Sequence, residues 1–421
     1  MFNLIVKAKR DADAVKAALS RFFNGWNIKI HTFKGMTSSD KVFDILSSII
    51  DDKSFFIILL GRNERHLMAL DKLFSDNVSF FVVDKSKVRN ARLLEIALSF
   101  EYGRAKIRNI VGWNNESYFF SKSAEEIIFS SHIPAIDVFI GFSGFLKLLE
   151  PRIGRIGSYP LIIRDYSGLH HIYSGVFKIA ELKILSVGED FYVNRLSDKY
   201  VDLNLNSILT SNVNVIEMYE RISLSFLSQF KGMGDIIVPW SGGKDSTCAL
   251  VLALKAFRKN VVPIFVDTGL EFNETREYID EISSRLGVNV EVEYAPIDKE
   301  LKVRGLPTFD NRWCTRLKIE ALYNRIKKIS DNPIVIVGDR DVESRLRSLR
   351  PPVRRHEFVL QLAPMKMWPT WLSQLYLIYN DLPLNKLYYY GFYRIGCFIC
   401  PSLRSWERAI MREKNIQIPQ F

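Results

Sequence analysis

Nine residues, Pro239-Trp-Ser-Gly-Gly-Lys-Asp-Ser-Thr247, constrain this chain more than any other feature. They stand between a short apolar run, Ile236 to Trp240, that reads as a strand, and Lys244 to Phe257, whose apolar residues recur at helical spacing. Glycines at such a junction let the backbone close on an anion, and the free N–H groups of the helix start point toward it. The loop is therefore a phosphate cradle. It is not a Walker A loop, because Lys244 is followed by Asp245 rather than Ser or Thr and the required upstream glycine is missing. Further strands at Val261 to Val266, Val288 to Tyr294 and Ile334 to Val337, with a helix at Glu274 to Leu286 stopped by Gly287, alternate in the manner of a doubly wound α/β parallel sheet. In that architecture ligands bind at the carboxyl ends of the strands, which places chemistry at Ser241, Asp267 and Gly338.

Ser241-Gly-Gly-Lys-Asp-Ser246 resembles the PP-loop of ATP pyrophosphatases, which cleave ATP between the α and β phosphates and adenylate a substrate. Val266-Asp-Thr-Gly-Leu-Glu-Phe272, Trp313-Cys-Thr-Arg-Leu-Lys318 and Gly338-Asp-Arg-Asp-Val-Glu-Ser344 extend the likeness. With them, Met233 to Glu407 resembles the phosphoadenosine phosphosulfate (PAPS) reductase family. The resemblance implies an adenine nucleotide alpha hydrolase-like fold that binds ATP with Mg²⁺. Lys244 would meet the β and γ phosphates and Asp245 would hold Mg²⁺. Gly242 and Gly243 would offer backbone, and Ser241, Ser246 and Thr247 hydroxyl donors. Asp267 would lie near the nucleotide. Arg340, Glu343, Ser344 and Arg347 would meet the substrate's anionic end. Lys244, Asp245, Arg340 and Arg347 are the expected catalytic set.

The intact loop sets the chain apart from PAPS and adenylylsulfate (APS) reductases, whose loops are degenerate because their substrate is already activated. The Glu-Cys-Gly nucleophile of PAPS reductases is also missing from Lys414 to Phe421. The expected function is ATP-dependent adenylation that prepares a substrate, RNA among the candidates, for sulfur transfer of the kind seen in tRNA modification. Reduction of a sulfonucleotide and a non-catalytic nucleotide sensor are the alternatives.

Four cysteines, Cys248, Cys314, Cys397 and Cys400, are too few for a disulfide framework. Cys397 and Cys400 have the two-residue spacing that lets both sulfurs face one metal. In iron-sulfur APS reductases the equivalent of Trp313-Cys314 is a cysteine pair. Here three thiolates, Cys314, Cys397 and Cys400, remain for a [4Fe-4S] cluster with one open iron. Zn²⁺ completed by His356 or water, a redox dithiol and unligated thiols stay open as other readings. Cys248, one turn into an apolar helix, is expected in the core.

Lys and Arg exceed Asp and Glu by 11, and Leu301 to Leu360 alone holds 14 basic against 7 acidic residues, so an anion is expected there. Arg350, Arg354 and Arg355 extend that charge, either along a nucleic-acid backbone or as a solvated face. The run Tyr388 to Tyr393 either stacks bases or packs.

Three domains are expected: a small α/β unit at 1–103, a β-rich unit at 104–205 and the catalytic unit at 210–421. His170 and His171, beside a turn at Tyr166-Ser-Gly168, read as solvated. No apolar run approaches the roughly eighteen residues of a membrane helix, and the start is too short for a secretory signal. A cytoplasmic protein without a membrane partner, acting on an adenine nucleotide with RNA or a sulfur-donor protein, is the expectation; its oligomeric state is left open.

Overall fold

The structure, a computed structural model, describes residues 1–114, 116–165, 167–184, 191–258 and 260–416. Tyr166 of the expected turn, and 417–421 at the chain end, lie outside the described residues.

Strands β1 (Phe2–Val6), β2 (Ile28–Thr32), β3 (Phe55–Leu60) and β4 (Val78–Val82) form a parallel sheet in the order β2-β1-β3-β4. The run Phe-Phe-Ile-Ile-Leu-Leu of β3 is buried at every position, as a central parallel strand covered on both faces must be. Helices Lys9–Phe22 and Ser39–Ile49 and a 3-10 segment, Arg62–Leu73, connect these strands, in keeping with the expected small α/β unit. The boundary expected after residue 103 falls inside a helix, Leu93–Arg108, that packs on this sheet.

Next come a three-stranded antiparallel sheet, β5 (Ile110–Asn114), β6 (Ser117–Phe119) and β7 (Glu126–Ser130), and a five-stranded antiparallel meander. The meander holds β8 (Asp137–Ile140), β9 (Leu161–Arg164), β10 (Leu169–Ser174), β11 (Phe177–Ile184) and β12 (Phe191–Arg195). The β-rich reading of this region holds. His170, however, is fully buried rather than solvated: its Nδ1 lies 2.9 Å from the Gly168 carbonyl and its Nε2 3.0 Å from Arg404.

The last sheet contains β13 (Asp235–Pro239), β14 (Val261–Asp267), β15 (Glu291–Tyr294), β16 (Pro333–Ile336), β17 (Val353–His356) and β18 (Val359–Leu362). Their order is β15-β14-β13-β16-β18-β17; every pairing is parallel except that of the edge strand β17. The chain moves from β13 outward to β14 and β15, then returns to place β16 on the other side of β13. A crevice therefore opens at the carboxyl ends of β13 and β16, the switch point of a doubly wound sheet. Ser241 and Gly338 begin the two loops that line it. Gly338 has no room for a side chain, since a Cβ there would sit 2.6 Å from the Asp245 carbonyl oxygen. Helix Lys244–Phe257 buries Cys248, Leu250 and Leu252 against this sheet, as expected for Cys248. Among the described residues no helix is long and apolar enough to cross a membrane.

Candidate functional site

Leaving β13, the chain turns at Gly242, whose φ of +70° suits glycine, and enters its helix at Lys244. Ser246 Oγ accepts the Ser241 N–H at 3.2 Å, which folds the loop over the helix start. Thr247 serves the loop internally rather than a phosphate: its hydroxyl donates to the Gly243 carbonyl (2.9 Å) and accepts from the Trp240 indole (3.0 Å). A cavity of about 210 Å³ lies above, lined by Ser241, Asp245 and Ser246 from this loop and by Glu343, Arg347 and Arg394 opposite.

Of the two charges expected at the phosphates and Mg²⁺, Lys244 is placed differently from the sequence reading. Lys244 is buried and does not line the cavity. Its Nζ donates to Asp245 Oδ2 (3.0 Å) and to the Tyr393 carbonyl (3.2 Å), between the rings of Tyr388 and Tyr393. Asp245 does reach the cavity. Its Oδ1 lies 2.9 Å from Arg340 Nε as an ion pair, yet that oxygen has no hydrogen bond. Burial pushes the Asp245 carboxyl up, but Arg340 and then Lys244 outweigh it and hold the group below its ordinary range.

Arg340, expected on the substrate's anionic end, is instead 1% exposed beneath the cavity, between Asp245 and Asp137. A guanidinium has enough donors for either task, and only the packing decides which. Arg347 does line the cavity, ion-paired to Glu343 and 3.7 Å from Asp339. Ser344 is used locally, its Oγ accepting the Arg347 N–H at 3.2 Å to cap the short helix Arg345–Leu349. Arg350 and Arg354 converge on Asp339 as well, at 3.8 and 2.6 Å. Asp267 accepts from Gly269 N–H (2.9 Å) and Arg276 (2.8 Å) and is not part of the cavity wall.

Four site residues escaped the sequence reading in these roles. Arg394 is exposed on the cavity wall. Tyr388 Oη accepts the Lys244 N–H at 2.9 Å, and Tyr393 donates its hydroxyl to Asp137, so the tyrosine run packs beneath the loop. Asp137, on β8, comes from outside the motif-bearing region. Its Oδ1 accepts the N–H groups of Val138 and Thr370, both at 2.9 Å. The tyrosine run was the one visible signal for this layer.

Cys397 and Cys400 close a turn in which the Cys400 N–H donates to the Cys397 carbonyl at 3.0 Å. Their thiols pair. That pairing, the Ser402 N–H and the charges of Arg394 and Arg312 bring Cys400 down to about 5, while Cys397 is pushed up. Cys314 lies in the same apolar cluster, at the start of helix Trp313–Ile329. Among the described residues, no three His, Cys, Asp or Glu side chains form a metal-holding group. The three thiols expected at one metal are not brought together as such a group, so no step is routed through a cluster or zinc. His356 is engaged elsewhere, its Nδ1 2.7 Å from Tyr323 Oη.

Residues 235–403 match the phosphoadenosine phosphosulfate reductase domain family. This C-terminal domain belongs to the PAPS reductase-like family. An uncharacterized protein of Methanocaldococcus jannaschii is 32% identical over 234 residues, which cover 53% of this chain and 48% of that protein. A second from the same organism is 33% identical over 222 residues, covering 50% and 53%. The chain thus spans about half the length of these relatives. The adenosine 5′-phosphosulfate reductase of a Chelativorans species is 28% identical over 179 residues, covering 41% of this chain and 71% of that one. The PAPS reductase-like domain accounts for the crevice loops and the thiol pair. Asp137, beneath them, lies outside it.

Proposed function

We propose that the PAPS reductase-like domain binds ATP with Mg²⁺ in the crevice and transfers its adenylyl group to an acceptor, preparing that acceptor for attack by sulfur. The observation that carries this reading is the intact phosphate loop, with the Asp245 carboxylate lining the cavity and held by two cations, Oδ1 against Arg340 at 2.9 Å and Oδ2 against Lys244 at 3.0 Å. A carboxylate beside a phosphate cradle suits a hard divalent cation. Mg²⁺ bound there would neutralise phosphate charge.

The chain's own groups do the rest. Ser241 offers its hydroxyl, whereas the Ser246 hydroxyl, like that of Thr247, donates to the Gly243 carbonyl, at 3.0 Å; the loop N–H groups form the charge-free part of the cradle. Arg347 and Arg394 supply cationic forks on the opposite wall, suited to phosphate oxygens of the triphosphate or of an anionic acceptor. An acceptor oxygen forms its bond to the α phosphorus as the bond from that phosphorus to the β-phosphate bridge breaks, and pyrophosphate leaves. A sulfur nucleophile then displaces AMP, which carries the acceptor oxygen away.

Reduction of a sulfonucleotide is the second reading. It is favoured by the relatives named APS reductase and by the Cys400 thiol, which lies within electrostatic reach of Arg394 on the cavity wall. The two are separated by their products. The full chain with ATP, Mg²⁺ and bulk RNA as acceptor pool is expected to release pyrophosphate. Release of sulfite from APS or PAPS in the presence of a thiol reductant, without pyrophosphate from ATP, replaces the first reading by the second.

A further inference from the structure

Asp137 is fully buried and lies almost a hundred residues before the matched domain, yet its Oδ2 is 3.9 Å from Arg340 Nη1. Its carboxylate is saturated. Besides the two N–H groups on Oδ1, Oδ2 accepts the hydroxyls of Thr370, at 2.6 Å, and Tyr393. Burial opposes its charge, but Arg340 and Arg164 outweigh burial and keep it ionised. Asp245, the other counter-ion of Arg340, lines the cavity, with Oδ1 against Arg340 at 2.9 Å and Oδ2 against Lys244 at 3.0 Å. Arg340 therefore has one carboxylate fixed by four neutral donors and one held by cations. The buried Lys244 and Arg340 stand against Asp137 with the cavity-lining Asp245, and the half-buried Arg164 adds positive charge beside Asp137.

We propose that Asp137 is a positioning residue of this site: it serves Arg340 as a permanent counter-ion, so that Asp245 is left able to turn toward the cation accompanying a nucleoside triphosphate. The proposal rests on the ATP reading above. Without the Asp137 charge, two buried cations share Asp245 alone and hold it beneath the cavity. Binding that depends on the divalent cation then suffers first, while contacts made by the cavity wall persist.

The test is calorimetry of the full chain with α,β-methylene ATP, which cannot be cleaved at the relevant bond, in Mg²⁺ and in EDTA. Wild type, Asp137→Asn and the charge-neutral double variant Asp137→Asn/Arg340→Gln are compared. Asp137→Asn is expected to bind the Mg²⁺-free analogue within about twofold of wild type and to lose about tenfold of the gain that Mg²⁺ gives, the scale of one charge-assisted contact. The double variant is expected to regain that tenfold, whereas a merely structural Asp137 would leave it no better than the single variant. If Asp137→Asn does not fold, the double variant carries the test: a wild-type Mg²⁺ gain supports the proposal and a lost one overturns it. A wild-type chain that binds no ATP analogue overturns the ATP reading itself. A wild-type gain kept in full by Asp137→Asn overturns the role of Asp137 alone.

Discussion

Lys244 supports the phosphate loop from inside the protein, its ammonium held by Asp245 and by the Tyr393 carbonyl. Lys244→Ala removes that donor from a buried carbonyl and leaves Asp245 to Arg340. The expected result is lost nucleotide binding together with a stability loss of about 1 to 3 kcal/mol, read by urea denaturation. Unchanged stability would mean that the ammonium is not held in the interior. Cys400 offers a second residue-scale test. A thiol brought down from 9.0 to about 5 stabilises the fold above the unfolded value, and that contribution is lost as pH falls through about 5. Its thiolate therefore persists through neutrality. Iodoacetamide labelling followed by mass spectrometry should modify Cys400 faster than Cys397, Cys314 or Cys248 at pH 7, with the rate collapsing near pH 5. Equal labelling of all four would remove the pairing of Cys397 and Cys400 from the account.

At the scale of elements, the helix Leu93–Arg108 shows how the first sheet is tied to the last. Arg104 and Arg108 reach Asp341, in the loop after β16, which also binds Lys366 at 2.7 Å. Burial raises the Asp341 carboxyl, but Arg104, Lys366 and Arg108 outweigh it and hold it low. Asp341→Asn leaves three buried cations without their carboxylate and should cost about 3 to 5 kcal/mol at neutral pH, measured by chemical denaturation. A depressed carboxyl stabilises above its unfolded value near 3.8 and loses that contribution as pH falls through its folded value, so the gap between wild type and variant should close in acid. A loss below about 1 kcal/mol, the range of surface pairs, would contradict this locking role.

The same elements show what the sequence could tell. Helix Lys244–Phe257 was legible to the residue, because a glycine loop and an apolar stripe mark both its start and its face. β11, the longest strand of the meander, is not marked by periodicity, because its buried and exposed positions do not alternate cleanly. The inward turn of Lys244 and Arg340 was not legible either, since orientation depends on Tyr393 and Asp137, far away in sequence.

For the whole molecule, residues that precede the matched domain pack beneath and beside the site. Asp137 lies under Arg340, Arg164 reaches the Val342 carbonyl, and His170 holds Arg404. None of this could be read from composition or periodicity, because each is a long-range pairing of polar groups inside an interface. What was legible is the sheet with its crevice; that the crevice takes ATP is the central proposal. The most direct measurement is calorimetry of the full chain with α,β-methylene ATP in Mg²⁺ against PAPS and APS under the same conditions. The account predicts that the ATP analogue binds more tightly than either sulfonucleotide. Tight binding of PAPS or APS with no measurable binding of the ATP analogue would contradict it.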